Sequence, residues 1–276
     1  MLKNWLITGT STGLGRLMVQ QLLARGDRVA ATLRRPGALD DLQSQYGQQL
    51  QVLVLDVTDT EQVKSVVEQA FQRLGRIDVA VSNAGYGLFG AGEEISDAQI
   101  DRQIATNLTG SIHFIRALLP RMRQQGGGRI VQVSSEGGQI AYPNFSLYHA
   151  TKWGIEGFVQ SVSQEVAPFG IDFIIAEPGP TATNFGVALD LASPMDCYDG
   201  TPAGDLRRAI ACGSFAIRGD AAKTTSAIIA AADSAHPALR LALGSNAYDS
   251  IASGLAERLR SLEENKAITL SVDIDR

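Results

Sequence analysis

The sequence predicts a doubly wound α/β fold: a single domain over residues 1–276, with seven parallel strands in one sheet and helices on both faces. Three observations carry this expectation. Short apolar runs alternate with longer segments of helical period from residue 3 to about residue 243, the pattern of strands buried on both faces and joined by helical crossovers. The first run passes directly into a glycine-rich turn. With 276 residues, 45% of them apolar, the chain is long enough to bury one large core, and no linker divides it.

Strands are expected at 4–8, 28–34, 51–55, 78–82, 129–134, 171–176 and 239–243, each a short β-branched or aliphatic run. Between them, Leu14 to Arg25, Leu39 to Tyr46, Glu61 to Leu74, Asp97 to Arg123, Leu147 to Val166 and Ala221 to Ser234 repeat apolar residues at i, i+3, i+4 and read as helices. Regularity breaks between Gly179 and Gly219, where Pro180, Pro194, Gly200, Pro202, Gly204 and Gly213 punctuate the chain. A loop of that length inside a domain is usually functional or disordered. Residues 186–218 are therefore expected to form a lid over the substrate, and 245–276 a final amphipathic helix with a tail.

Composition excludes several function classes. Net charge is −5, and no basic cluster exceeds Arg34-Arg35 or Arg207-Arg208, so a nucleic-acid or anionic-membrane surface is not expected. Cys197 and Cys212 stand without a second pair, and His113, His149 and His236 are the only histidines. Neither a zinc site nor a disulfide framework is read from them. The first strand begins at once and no apolar run approaches the roughly 20 residues that span a bilayer. A cytoplasmic protein acting on a small molecule is expected.

The turn after the first strand is Gly9-x-x-x-Gly13-x-Gly15, followed by a helix. Strand, glycine turn and helix in that order form a pyrophosphate cradle: Gly9 allows the sharp turn, Gly13 close approach, and Gly15 close helix packing. Backbone amides at Gly13 and Leu14 face the phosphates, and the hydroxyls of Thr10, Ser11 and Thr12 are further donors. An acidic residue at the end of the second strand would bind the ribose of NAD(H). Here the strand ends Leu33-Arg34-Arg35. The two guanidinium groups suit a phosphate, so NADP(H) is the expected cofactor.

Tyr148 and Lys152 lie four residues apart, which stacks a phenol and an ammonium on one helix face. The cation, together with the positive nicotinamide ring of an oxidised cofactor, should favour the phenolate and bring the phenol below its ordinary pKa. Ser135 follows the strand 129–134, at the sheet edge where ligands of such folds bind. Ser134 is its fallback. Asn107 sits in a helical pattern that asparagine does not favour. His149 points away from Tyr148 and, with Trp153, reads as packing or surface.

In this order and spacing, Thr8-Gly9-x-x-x-Gly13-x-Gly15, Asp56-Val57, Asn83-Ala84-Gly85, Asn107, Ser135, Tyr148-x-x-x-Lys152 and Pro178-Gly179 resemble the single-domain short-chain dehydrogenase/reductase family, whose fold is of the Rossmann type. The Glu136-Gly137-Gly138 run and Glu177-Pro178-Gly179-Pro180-Thr181-x-Thr183-x-Phe185 resemble its 17β-hydroxysteroid and retinol-type branch, segments that bacterial carbonyl reductases share. Ser82, where the family often has asparagine, and Leu14, where isoleucine is frequent, depart from the pattern without touching an acid/base group.

The resemblance implies an oxidoreductase acting on CH-OH donors. Tyr148 would exchange a proton with the substrate oxygen, Ser135 would hold that oxygen, and Lys152 would hold the nicotinamide ribose. Asn107, through a side-chain or backbone kink, would hold a water on the path from Lys152 to solvent. Asp56 with Val57 would receive the adenine, and Asn83, Ala84 and Gly85 would floor the adenosine. Pro178 and Gly179 would flank the nicotinamide, and Thr181 or Thr183 would orient its amide.

Tyr86, Phe89, Ile140, Tyr142, Phe145, Leu147, Phe185, Met195, Cys197 and Tyr198 are candidates for the substrate side. Their character implies an apolar ketone, aldehyde or secondary alcohol. The resemblance also implies a homodimer or homotetramer built on the helices 97–123 and 147–166. The competing readings are a non-catalytic NADP-binding redox sensor and a cofactor-free lyase like the halohydrin dehalogenases. Such lyases replace the lysine and lose the glycine turn, and both are kept here.

Overall fold

Strands filled with Val, Ile, Leu and Ala need apolar cover on both faces, and the chain provides it with helices on each side. The computed structural model describes residues 2–186 and 188–274; Val187 of the expected lid and Asp275 and Arg276 of the expected tail lie outside the described residues. In chain order the elements are β1 (Asn4–Ile7), α1 (Gly13–Ala24), β2 (Arg28–Leu33), α2 (Asp40–Tyr46), β3 (Leu50–Val54), α3 (Thr60–Leu74), β4 (Val79–Ser82), β5 (Leu88–Phe89), α4 (Asp97–Ile104) and α5 (Gly110–Gln124). They continue with β6 (Gly128–Val133), α6 (Ser146–Val166), β7 (Ile171–Pro178), β8 (Asp190–Leu191), α7 (Pro202–Ala211), α8 (Ala221–Asp233), β9 (Arg240–Leu243), α9 (Ser245–Glu264) and α10 (Lys266–Leu270).

The seven longer strands form one parallel sheet in the order β3-β2-β1-β4-β6-β7-β9. Strand order reverses between β1 and β4, and that switch point opens a crevice at the carboxyl edge. One apolar core joins α3, α5 and α6 to one face of the sheet, and a second joins α1, α2 and α8 to the other. Each fully buried Leu or Ile in these layers contributes about 1.5–3 kcal/mol. That is ample to fix the register of the strand ends.

Three expectations change. The helix expected over Asp97 to Arg123 is interrupted: residues Ala105–Thr109 form a π-helical turn between α4 and α5, centred on buried Asn107. A π turn inserts one residue into the ladder and is the kind of kink that marks functional positions. The irregular stretch from Gly179 to Gly219 contains α7, whose Thr201 side chain caps the Ala203 amide ahead of Pro202. It also contains β8, which pairs in parallel with β5 through Leu88 to Asp190 and Phe89 to Leu191. Two-residue strands carry no readable period, and their partners lie about a hundred residues apart.

Apolar residues of the π turn, α5 and α6 lie in the core: Ile115, Ile155, Val159 and Val162 are buried, and Leu108, Ile112 and Phe158 pack against them. By contrast, Leu255, Leu259 and Leu262 on α9 are at least half exposed. Among the described residues no helix is long and apolar enough to cross a membrane, and no group of His, Cys, Asp or Glu is arranged to hold a metal.

Candidate active site

The residues singled out by the sequence gather along the carboxyl edge of the sheet. Gly9 follows β1 at φ +70°, and a Cβ there would lie 2.7 Å from the Ala84 Cα. At Gly15 a Cβ would lie 2.3 Å from the Gly9 carbonyl oxygen and 2.6 Å from the Asn83 amide nitrogen. The turn therefore admits no side chain on its inner side, while the same test at Gly13 meets nothing closer than 3.9 Å. Gly13 is uncrowded, in ordinary contact with Thr183 alone, which leaves room for a phosphate.

Two of the expected ligand contacts are instead spent inside the protein. The Thr10 hydroxyl donates to the Thr32 carbonyl (2.9 Å) and is buried. Ser11 and Thr12 remain exposed. The Asn83 side-chain amide donates to the carbonyls of Thr8 (2.9 Å) and Gly9 (3.0 Å), while the Thr8 hydroxyl accepts from the Asn83 and Ala84 amides. Asn83 thus braces the glycine turn, leaving Ala84 and Gly85 toward the crevice.

Arg34 and Arg35 are exposed at the end of β2. Among the described residues neither makes a salt bridge. Asp56, after β3, accepts from the amide and hydroxyl of Thr58 through Oδ1, and these bonds together with the nearby Arg34 charge hold its carboxyl below the usual range despite desolvation. Its Oδ2 has no protein partner among the described residues. Val57 beside it is buried against α5, where its backbone oxygen closely approaches Gly110.

The other half of the crevice lies between β6 and α6. Lys152 is buried and its Nζ donates to the Val133 carbonyl at 3.0 Å. Ser134, the next residue, donates its hydroxyl to Glu156 (2.5 Å). That bond occupies the Ser134 proton, while Ser135 is the hydroxyl beside Tyr148. Ser135 Oγ also accepts from the Gly137 amide (3.1 Å), which closes a 3-10 turn over Glu136–Gly138.

Burial decides the protonation of the pair. It pushes Tyr148 up to about 12; the Ser135 hydroxyl opposes this, and the charges of Glu136 and Glu156 add to it. The expectation of a lowered phenol is not met by the protein's own groups. Burial also brings Lys152 down to about 8, with Glu156 opposing, so the cation that should help the phenolate is itself costly to hold. Its Nζ lies 5.5 Å from the Tyr148 ring centroid. The protein alone keeps Tyr148 as an acid.

Asn107 is buried, and its side chain is fully engaged with the Tyr86 backbone: Nδ2 donates to the carbonyl (2.8 Å) and Oδ1 accepts from the amide (3.1 Å). Its backbone carbonyl, which accepts from the Ser111 hydroxyl (3.1 Å), keeps a second lone pair at the kink. His149 is buried rather than at the surface, its Nδ1 bonded to the Gly137 carbonyl (2.9 Å) and its Nε2 accepting from the Tyr142 amide (3.0 Å). Both bonds and burial, which lowers its pKa, suit a neutral ring. It packs the Ser135 turn onto α6. Trp153 is partly exposed beneath Arg258.

Past β7, Pro178 and Gly179 sit at the crevice, and the Thr181 hydroxyl donates to the Gly179 carbonyl (2.8 Å). The Thr183 hydroxyl accepts from the Phe185 amide (3.2 Å), keeping its own proton for donation. The Phe185 ring stands edge-on to Tyr148 at 5.7 Å, with Phe145 at 6.0 Å on another side. Of the remaining substrate-side candidates, Phe89 packs on Phe145, Tyr142 bonds Glu136, Tyr198 bonds Glu93 (2.8 Å), and Cys197 is an exposed free thiol.

Three buried carboxylates next to the site were not foreseen: Glu136, Glu156 and Glu177 are each 1–2% exposed. Arg240 Nη1 bridges Glu156 and Glu177, and Gln139 donates to Glu177 (2.8 Å). Spacing could have revealed Glu156, one turn beyond Lys152 on the same face. Nothing in the sequence pairs β9 with it.

A strand-edge crevice with a glycine phosphate turn at one end and a buried Tyr-Lys pair at the other defines a dinucleotide-dependent oxidoreductase fold. Comparison with known proteins makes the class specific. Residues 3–192 match the family model described as short chain dehydrogenase, and the chain belongs to that family. It is 35% identical over 274 residues to "Oxidoreductase BOA17" of Botryotinia fuckeliana, covering 99% of both chains. A crystal structure of a short-chain dehydrogenase from Streptomyces avermitilis superposes with a TM-score of 0.92 at 37% identity, covering 99% of this chain and 100% of that one. ElxO with NADP bound superposes at 0.75 with 25% identity, covering 90% and 100%.

The Ser134 bond can be tested directly. Ser134→Ala leaves a buried carboxylate oxygen short of a donor and should cost about 1–3 kcal/mol of stability, read from the denaturant midpoint against wild type.

Proposed function

We propose that this oxidoreductase is NADP(H)-dependent and moves hydride between nicotinamide and an apolar ketone, aldehyde or secondary alcohol, with Tyr148 as the acid/base. The observation that carries the reading is the buried Tyr148 phenol beside Ser135, with Lys152 pinned beneath it, at one end of a crevice whose other end is the Gly9–Gly15 turn. NADP bound to a structural relative supports the cofactor choice.

The residues present fit such a dinucleotide. The phosphates would lie against Ser11, Thr12, Gly13 and Leu14, and the 2'-phosphate against Arg34 and Arg35. The adenosine would rest by Asp56, Val57, Ala84 and Gly85, and the nicotinamide end by Tyr148, Lys152, Pro178, Gly179 and Thr181 or Thr183. When bound, the cofactor supplies or accepts the hydride.

The chain's own residues do the rest. During reduction the Tyr148 hydroxyl gives its proton to the carbonyl oxygen, and Ser135 donates to the same oxygen as charge builds there. Lys152 keeps a positive charge under the phenol ring, which lowers the cost of the phenolate left behind. The Asn107 backbone at the π turn is the point from which a water could return the proton. Oxidation uses the same groups in reverse.

The segment 186–218 acts as a lid in this reading. Its start is held by β8 and by Asp190, which accepts from Gln99 (3.0 Å) and Arg102 (2.9 Å). Its middle is held by Arg207, which donates to both oxygens of buried Glu94 (2.7 and 2.8 Å). Exclusion of water by such a segment strengthens the electrostatics beneath it. Two free exposed thiols favour a reducing, cytoplasmic setting, and the exposed leucines of α9 favour a homo-oligomer.

Tyr148→Phe should lower kcat by at least about a hundredfold while leaving NADPH binding, followed by fluorescence, unchanged. Wild-type activity in that variant would contradict the role. In the reduction direction activity should fall as pH rises through about 8, where Lys152 loses its charge. Replacing Arg34 and Arg35 by Ala should weaken NADPH binding about ten- to a hundredfold and NADH binding little. Equal losses for both would remove the 2'-phosphate assignment. Limited proteolysis of 186–218 should slow when NADPH is added, and equal cleavage would rule out a lid.

A further inference from the structure

The end of β6 is attached to α6 by three successive residues. Val133 offers its carbonyl to Lys152, Ser134 its hydroxyl to Glu156, and Ser135 lies against Tyr148. On α6, Tyr148, Lys152 and Glu156 are spaced by four and share one face, so each rung of the stripe meets one residue of the strand end. Two rungs belong to the proposed chemistry. The third, Glu156, is a buried carboxylate that the mechanism does not use.

Its surroundings are built to hold it still. Both oxygens are engaged, Oε1 by Ser134 and Oε2 by Arg240, and Arg240 reaches it from β9 while also binding Glu177 (2.6 Å) and Gln160 (3.1 Å). A Cβ on Gly138 would lie 1.8 Å from Glu156 Oε1, so the turn that carries Ser135 rests directly on this carboxylate. Burying two carboxylates, Glu156 and Glu177, on one arginine is expensive. A fold that needed only packing here would do better with apolar side chains.

The charged groups of the buried polar layer beside Lys152 come from four elements: Glu156 on α6, Glu136 in the turn after β6, Glu177 at the end of β7, and Arg240 on β9. Glu156 is the one whose charge bears on the buried lysine. It makes no direct ion pair with Lys152, whose Nζ bonds the Val133 carbonyl, so its influence is that of a fixed field one turn away. An ammonium without such a field would shed its proton in this setting.

We propose that Glu156 is a positioning residue for the reaction: clamped by Ser134 and Arg240, it supplies the buried negative charge that keeps Lys152 cationic at working pH. The proposal rests on the reading of Tyr148 and Lys152 given above. It also ties the far strand β9, through Arg240, to the ionisation of the site.

The test is the pH profile of NADPH-linked reduction in the full chain. Glu156→Gln, close in shape but uncharged, should move the alkaline loss of activity down by about one pH unit or more. Glu156→Asp, which restores the charge, should return it toward the wild-type position. Ser134→Ala breaks the clamp while keeping the charge, and its limb should stay with wild type even where total activity falls.

A Glu156→Gln profile that is lower in height but unmoved in pH would overturn the proposal. So would a Ser134→Ala limb displaced downward, which would show that the clamp acts by geometry and remains readable should Glu156→Gln fail to fold. An active Tyr148→Phe would instead overturn the reading beneath it. The two failures are therefore distinguishable.

Discussion

A lysine ammonium taken out of water and laid against the end of a strand is the constraint on which the site depends. Lys152 keeps a single hydrogen bond to the Val133 carbonyl, and burial brings its pKa from 10.5 down to about 8. The cost is accepted because Tyr148, one turn earlier, lies above it and is buried as well. A polar stripe on the inner face of α6 would normally weaken its packing. Here the apolar residues Ile155, Val159 and Val162 on the same helix seat it in the core, and the stripe is carried in with them.

The sheet supplies the precision. β6 is paired along its full length with β7 and through four residues with β4, so Val133, Ser134 and Ser135 emerge at a fixed height above α6. The π turn at Asn107 performs a similar service from the other side, clasping the Tyr86 backbone through two hydrogen bonds. At the opposite end of the crevice, Asn83 and Thr8 hold the glycine turn against β4. The residues that carry the proposed chemistry are few. A second set, Asn83, His149, Ser134 and Glu156, aims them.

Most of the fold was legible because parallel strands buried on both faces read as continuous apolar runs, and all seven in the main sheet were found within a few residues. What escaped has physical reasons. The helix from Asp97 was read as unbroken because a π turn keeps helical composition while changing the ladder. α7 was announced by Thr201 and Pro202, a cap and first-turn proline hidden in a stretch rich in breakers. The two-residue pairing of β5 with β8 leaves no period to detect. Within the site, the glycine turn and the Tyr148, Lys152 and Ser135 positions followed from spacing. The rise of Tyr148 in the protein alone did not, because spacing reveals that a cation is near and says nothing of the burial that both groups share. Arg240 belongs to the same class: its link to Glu156 crosses 84 residues, and only the folded sheet brings β9 to α6.

The protein's own packing holds Tyr148 as an acid and makes its ionisation unfavourable. Ultraviolet difference titration of the protein alone, wild type against Tyr148→Phe, isolates that one phenol among six tyrosines. The account predicts that the difference signal appears near pH 12. A phenolate appearing below the ordinary value of 10 would contradict it, and would mean that the lysine's attraction outweighs the burial of the pair.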